Sequence, residues 1–489
     1  MPTRSYSAVI VAGNQPFFLA TALDISLNLQ ASGENPIVFD LESVCYVNTN
    51  QYNSILCKIF RISNPLKKFI LELAKHQIKY VRLEKVDPTH NVPLDLTISK
   101  EQVTSCAIST MRDENPSSVS LNRMSPNLVQ EFEDSCALLT RSFGELGTPN
   151  QIHIPNGRFP HQEAASQVGE KVESQRYYYE RWFEKHTYFH MNFRTLDRIA
   201  IQRLFFHEET IDSKTSFDNA RKWFNSRLNR FGDLDDYTWG WSESQKGVTV
   251  RKESRVKSAA IFTSSEDETK MLGGDWDAFE WQSQWHAIRL AVENLTERGY
   301  EIAIRIHPNL SNKSGRSYRR TIKLASDLKR DFDSISIIRH DADVDSYELG
   351  KGSDLVIVWN STLGLEFEAL GKPVYFFAPS IYSGVTSARP WHKHFLDESL
   401  EFDISSNPNL AEKYMEYLLS LGRPFSQVVN ESFGNFSPTG KRALLVQWLS
   451  SERNVHSSVT RVVSVLLHRS VLASLIIVYR KMKLSIFLK

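Results

Sequence analysis

Two stretches of this sequence end apolar runs on residues able to bind an anion. IAIRIHPNLSNKSGR (302–316) closes on Arg305, His307, Pro308 and Asn309, and DLVIVWNSTLGLEFEALGKPV (354–374) closes on Asn360, Ser361 and Thr362. In an extended strand alternate side chains share a face, so Arg305 and His307 point the same way, while Pro308 stops the ladder. Asn360, Ser361 and Thr362 fall where the next helix must begin, and hydroxyls and unpaired backbone N–H groups at a helix start favour negative charge. If the two strands are neighbours, imidazole and hydroxyl pair converge on one phosphate. Glu366, one helical turn beyond Thr362, could reach a ribose hydroxyl; the plainer reading is a solvated helix residue.

Other segments offer partners for that chemistry. In IFTSSEDETKMLGGDW (261–276), Ser264 and Ser265 can cap a helix whose first turn holds Glu266, Asp267 and Glu268, or the same loop can face a ligand with one of these carboxylates as base. In HIPNGRFPHQEA (153–164) and RYYYERWFE (176–184), the Asn156-Gly157 turn aims Arg158, and Glu180 follows an aromatic run that could be a strand. A guanidinium there suits phosphate or carboxylate, unless it is simply paired with a nearby acid. Asp341, Asp343 and Asp345 in HDADVDSYEL (340–349) lack the glycine and distal glutamate of a calcium loop, so no metal is expected.

The elements that must position these residues follow from periodicity. YSAVIVAGNQPFFLATALDISLNLQASGENPIVFDL opens the chain as strand, helix, strand, without a GxGxxG dinucleotide fingerprint because Gly13 stands alone. Helices are expected over 60–80 and 122–145 and a strand over 150–157, while the aromatic, Arg-rich residues 174–240 are expected as helices and loops over the first sheet. A polar boundary at 237–254 precedes a second cycle. Its expected strands are Ala259 to Phe262, Ile302 to Ile306, Ile335 to Arg339, Leu355 to Val358 and Val374 to Phe377, with helices over 278–298, 316–330 and 363–371. Short uninterrupted apolar strands suit a parallel sheet covered on both faces. The expected fold is α/β: two Rossmann-like doubly wound domains over 1–240 and 255–400, then C-terminal helices over 401–489.

A chain of 489 residues exceeds what one core sustains, and 41% hydrophobic with 24% charged residues describes a folded protein. A formal net charge of +1 gives no general reason to expect nucleic acid. Cys45, Cys57, Cys106 and Cys136 stand singly, which argues against a disulfide or metal framework and fits a reducing cytoplasm. The first residues read as a buried strand rather than a secretory leader. From 457 to 489 the chain has basic but no acidic residues, and its longest uncharged stretch, Ser470 to Tyr479, is half of what a bilayer span needs. This tail can lie on an anionic membrane surface or dock on the protein's own core.

Taken together, TSSEDE, RIHPN, WNSTLGLEFEALGKPV and NGRF resemble bacterial capsule and surface-polysaccharide biosynthesis proteins, a group that includes Kdo transferases. The resemblance spans roughly residues 150–380. It implies a two-domain GT-B fold, the domains facing a cleft that holds the chemistry, with a nucleotide sugar on the second domain and a glycan or lipid-linked acceptor on the first, near Asn156, Arg158 and Glu180; the favoured reading is a cytoplasmic glycosyltransferase working at the inner membrane face. It further implies that His307, Ser361 and Thr362 touch the donor's phosphate, that Arg305 adds positive charge, and that Asn309, Asn360 and Glu366 complete the donor side. It implies no cofactor and no metal, with protein cations and helix dipoles stabilising the leaving phosphate. The Asp/Glu-Asp/Glu-Gly motif of bacterial sialyltransferases is missing, so the base stays open among Glu266, Asp267 and Glu268. Two competing readings are a polyol-phosphate transferase of the teichoic-acid type and an inactive module that binds glycan or an assembly partner.

Overall fold

The computed structural model describes residues 5–12, 15–45, 65–84, 96–111, 117–184, 186–207, 217–229, 247–248, 256–267, 272, 274–276, 281–308, 310, 313, 315–392, 402 and 405–428. The first strands are β1 (Ser7–Val11), β2 (Pro36–Asp40), β3 (Lys79–Arg82), β4 (Gln151–Pro155), β5 (Gln175–Arg181) and β6 (Thr187–Met191). Helices α1 (Pro16–Ala31), α2 (Pro65–Lys75), α3 (Lys100–Met111), α4 (Ser118–Leu146) and α5 (Pro160–Lys171) run between them. Because successive strand residues face opposite ways, Val9, Val11 and Val38 meet Leu19, Leu23 and Phe69 on one side, and Ala8, Ile10, Ile37 and Phe39 meet Phe132, Leu139, Ala165 and Val168 on the other. Each large apolar side chain so covered contributes about 1.5–3 kcal/mol. With β13 (Gly422–Pro424) from later in the chain, strand order is β13-β6-β5-β4-β1-β2-β3. The sheet is parallel except for β6, which runs antiparallel to both of its neighbours, β5 and β13.

The second sheet has order β12-β11-β10-β7-β8-β9, all parallel, from β7 (Ser258–Phe262), β8 (Glu301–Arg305), β9 (Ser336–Ile338), β10 (Leu355–Val358), β11 (Val374–Phe376) and β12 (Arg389–Pro390). Its helices are α8 (Gln284–Glu297), α9 (Gly315–Asp331), α10 (Ser346–Lys351) and α11 (Leu363–Ala369), numbered after α6 (Arg198–His207) and α7 (Asp218–Asn229). Ile261, Ile302, Ile304 and Ile357 pack on Ile288, Val292 and Leu328, while Phe262, Val356 and Val358 face Tyr347, Leu365 and Phe367. Two Rossmann-like α/β layers are therefore present, as expected. The domain limits at 240, 255 and 400 lie outside the described residues.

Three expectations need correction. The aromatic residues after 174 are not only helix and loop: β5 and β6 belong to the first sheet, and Tyr177, Tyr178, Tyr179, Tyr188 and Phe189 are of the aromatic type that strands favour. Helices α6 and α7 cover more than that sheet: Ile201, Phe205, Ala220 and Phe224 pack in one cluster with Phe189 of β6 and also with Phe262, Val358 and Tyr414. Polar bonds hold them there: Gln202 Nε2 donates to the carbonyls of Ile381 (3.0 Å) and Ser383 (2.9 Å). Finally, the segment after 400 is not helix alone. Helix α12 (Pro408–Ser420) is followed by β13 (Gly422–Pro424), which returns to the first sheet and pairs antiparallel with β6. Asp24 then fixes the chain, one oxygen accepting from the N–H groups of Ser426 (3.0 Å), Gln427 (2.6 Å) and Val428 (3.0 Å). No helix among the described residues is long and apolar enough to cross a membrane. The basic tail, 457–489, lies outside them.

Candidate active site

The carboxyl ends of β8, β7 and β10 stand in a row. The backbone ties them: Thr263 N–H donates to the Arg305 carbonyl (3.1 Å), Trp359 N–H to that of Phe262 (3.2 Å), and His307 N–H to Thr263 Oγ1 (2.8 Å). This corrects the expected adjacency. β7 lies between β8 and β10, so His307 and Ser361 are two strands apart, about 10 Å by inter-strand spacing.

The hydroxyls beside His307 are those of the β7 loop. A pocket of ≈ 30 Å³ is lined by His307, Thr263, Ser264, Ser265, Glu266 and Lys313, among others, and does not include Asn360, Ser361 or Thr362. Ser264 Oγ and Ser265 Oγ are buried without a hydrogen-bond partner, so neither hydroxyl caps a helix as expected. Ser265 is 6% exposed. A buried hydroxyl without a partner costs about 1–3 kcal/mol, a cost that a bound polar group would remove. Gln284 holds the loop open for such a group, its side chain accepting from Ser264 N–H (2.7 Å) and donating to the Ser264 carbonyl (3.1 Å).

Electrostatics at this point differ from expectation. His307 is half-buried, and burial, with the Arg305 guanidinium second, pushes its pKa down to about 4. The imidazole is therefore neutral at pH 7, and what it can offer an anion is an N–H rather than a charge. Arg305 is 2% exposed and its guanidinium donates to the carbonyls of Arg339 and Ala342, the latter at 3.2 Å. It acts on the pocket through its field rather than by contact, because the carbonyls after β9 take its donors. Asp267 is locked in a buried ion pair with Lys313, whereas Glu266 lines the pocket and also accepts from Gln284 N–H (3.0 Å) at the start of α8. Glu268 and Asn309 lie outside the described residues.

At the end of β10, Asn360, Ser361 and Thr362 are all partly exposed. Ser361 Oγ accepts from Leu363 N–H (3.2 Å), and the Ser361 carbonyl accepts from Tyr382 Oη (2.8 Å). Thr362 begins α11 without a side-chain cap bond. Gly364 makes this possible: a Cβ there would stand 2.0 Å from the Tyr382 hydroxyl. Glu366 is neither solvated nor available to a ribose. It is 2% exposed, accepts from the Tyr347 hydroxyl and pairs with Arg227 of α7 (3.1 Å), because α11 turns that face into the core. Asp341 pairs with Arg339 (3.0 Å) and Asp345 caps α10, accepting from Tyr347 N–H (2.9 Å), so these acids serve turns.

In the first sheet, chain order reverses between β1 and β4, the place where open α/β sheets form a crevice. A pocket of ≈ 20 Å³ lies there, lined by Gln15, Phe18, Asn156, Phe159, His161, Gln162 and Tyr179 in part. Asn156 (φ 35°) and Gly157 (φ 78°) turn the chain as expected, and Asn156 Oδ1 accepts from Arg158 N–H (3.0 Å). Arg158 and Glu180 pair with each other at 3.3 Å. Ser264, Ser265, Thr263, Gln284 and Lys313 were not among the binding residues expected. The rule applied to Ser361 and Thr362, hydroxyls directly after a buried strand, finds the serine pair equally well.

Among solved structures, the chain is similar to a beta Kdo 2,4 transferase, KpsC of Thermosulfurimonas dismutans, at 15% identity over 55% of this chain and 79% of that one, with a TM-score of 0.36. It is similar to the UDP-GlcNAc 2-epimerase of Neisseria meningitidis at 10% identity over 91% and 99%, TM-score 0.25, and to a Rickettsia africae glycosyltransferase at 12% over 91% and 92%, TM-score 0.27. Likenesses this remote carry no argument about chemistry. No curated protein matches the chain. Residues 279–420, which hold His307, Asn360, Ser361 and Thr362, match the family model described as capsule polysaccharide biosynthesis protein.

Proposed function

We propose that this chain is a glycosyltransferase of bacterial surface-polysaccharide biosynthesis, taking a nucleotide sugar as donor and a glycan or lipid-linked acceptor, with no cofactor in the transfer step itself. The observation that carries this reading is the pair of buried, unpartnered hydroxyls of Ser264 and Ser265 beside His307, at strand ends next to and within the segment matched by the capsule family model. The pocket has room for about two water-sized groups, which suits phosphoryl oxygens and leaves the sugar outside it. Asn360, Ser361 and Thr362, on the far side of β7, take the remainder of the donor.

In the reaction an acceptor hydroxyl attacks the anomeric carbon, the bond from that carbon to the phosphate oxygen breaks, and the nucleotide leaves with the electron pair. The hydroxyls and the His307 N–H stabilise the charge that develops on the departing phosphate, helped by the field of Arg305. Glu266, the described acid that faces the pocket, accepts the acceptor's proton, whereas Asp267 is held by Lys313. The acceptor approaches from the side of Asn156, Arg158 and Glu180. The basic sequence of 457–489 holds the enzyme to anionic membrane, and its deletion should release the protein from anionic vesicles in sedimentation.

Thermal shift with CMP-, UDP-, GDP- and dTDP-linked sugars tests the reading, since a ligand at 100 times its dissociation constant adds about 2.7 kcal/mol. One sugar nucleotide should stabilise the wild type and lose that effect in Ser265→Ala and His307→Ala. Stabilisation by CDP-glycerol alone would favour the polyol-phosphate reading, and equal binding by wild type and both variants would remove the pocket from the mechanism.

A further inference from the structure

The first half of the chain holds a second cluster outside this chemistry. Cys45, which ends the short turn after β2, Glu131 in the middle of α4 and His161 at the start of α5 bring a sulfur, a carboxylate oxygen and a ring nitrogen within 4.8 Å of one another. His161 Nδ1 lies 3.5 Å from Cys45 Sγ and 2.7 Å from Glu131 Oε1. The side chains of His161 and Glu131 are each 2% exposed, and Cys45 is half-buried.

We propose that Cys45, Glu131 and His161 bind one divalent transition-metal ion of the zinc class. A ring nitrogen presents a single in-plane position, occupied by one proton or one lone pair, yet both the sulfur and the oxygen face it. One proton serves a single partner well; one cation serves all three. A zinc–sulfur bond of about 2.3 Å and a zinc–nitrogen bond of about 2.0–2.1 Å at the tetrahedral angle place sulfur and nitrogen about 3.5 Å apart, the separation seen here. The oxygen must withdraw by roughly half an ångström to complete the same tetrahedron.

Charge points the same way. Thiolate and carboxylate together cancel a dication, so a loaded site puts no net charge among the buried Phe132, Cys136, Ala164 and Ala165. Binding displaces the Cys45 proton to solvent, and the half-buried thiol gives the ion its entry. With three protein ligands the fourth position is left to water or a ligand atom. The ion would tie the turn after β2 to α4 and to the first turn of α5, and so brace the Asn156–Gly157–Arg158 turn just before it. No spacing motif announces this site, because its ligands come from three separate elements.

Cobalt(II) is the probe. The full-length chain, stripped with chelator and titrated, should bind one equivalent and develop a thiolate-to-cobalt charge-transfer band with d–d bands of tetrahedral intensity. Zinc should displace the cobalt and raise the melting temperature. Cys45→Ser, at a half-buried position, should keep its circular dichroism but lose the charge-transfer band and the zinc-dependent stabilisation, with an affinity loss beyond the roughly 10–100-fold that outer-shell changes cost. His161→Gln should do the same. Wild-type protein that takes up no cobalt, or a band of equal strength in Cys45→Ser, would overturn the proposal.

Discussion

The strand ends of the two sheets carry similar residues in opposite states. At the first sheet, Arg158 and Glu180 are paired with each other, and Asn156 and Gln162 satisfy the turn between them. At the second, Ser264 Oγ and Ser265 Oγ are buried with no hydrogen-bond partner and His307 lines the same pocket. A polar residue at a strand end is thus weak evidence for binding until its partners are known. The unmet need of the serine pair, rather than residue type, separates the candidate donor pocket from a stable turn.

The contrast can be broken from either side. The largest expected change is structural: Glu366→Ala leaves Arg227 without its carboxylate and Tyr347 without its acceptor, and should cost about 3–5 kcal/mol in urea unfolding. A loss below 1 kcal/mol would return Glu366 to the ligand side. His307→Ala should lower turnover about 10²–10³-fold, equivalent to about 2.7–4 kcal/mol of barrier, with little change in the unfolding midpoint. Should stability fall and turnover hold, the imidazole belongs to the fold.

Gly364→Ala drives a methyl into the Tyr382 hydroxyl and should cost about 1–3 kcal/mol while weakening donor binding through the Ser361 loop. Unchanged midpoint and affinity would show that the loop shifts freely.

A fourth expectation concerns acid. His153 Nδ1 and His190 Nε2 lie 2.8 Å apart, and Arg423 of β13 lies 3.1 Å from His190 Nδ1. Burial first, then the charge of Arg423 for His153 and that of His153 and Arg423 for His190, push their pKa values down to about 3 and about 2. Since folding lowers both, stability is full above the unfolded histidine value near 6.5 and falls as pH drops toward about 3. Each proton refused costs about 1.4 kcal/mol per pH unit. Unfolding midpoints from pH 7 to 4 should decline less steeply in His153→Gln; parallel curves would contradict this. Smallest of all, a double-mutant cycle on Arg158 and Glu180 should give about 1 kcal/mol or less, as for partly solvated pairs, and a much larger coupling would mark the pair as buried machinery.

Much of this architecture was legible in the chain. Leu355 to Val358 was placed to the residue, and Val374 to Phe377 and Ala259 to Phe262 to within one, because unbroken apolar runs between polar loops have few other uses. The same reasoning overlooked β6 and β13. One is aromatic and antiparallel, and the other is three residues long and earns its pairing from a strand far away in sequence. It also gave α6 and α7 to the first sheet alone, whereas they share a cluster with residues of both, since periodicity shows that a helix has an apolar face but not which partners receive it.

Local order along the chain determined where each strand stops and which side chains emerge at its end, because apolar period and chain breakers act over a few residues. Only the tertiary structure decided that β7 separates His307 from Ser361, that Arg305 serves two carbonyls and Glu366 an arginine, and that the hydroxyls of Ser264 and Ser265 were left without hydrogen-bond partners. Strand order and hydrogen-bond partners depend on which distant segments pack together, and that choice rests on the free energy of the whole core.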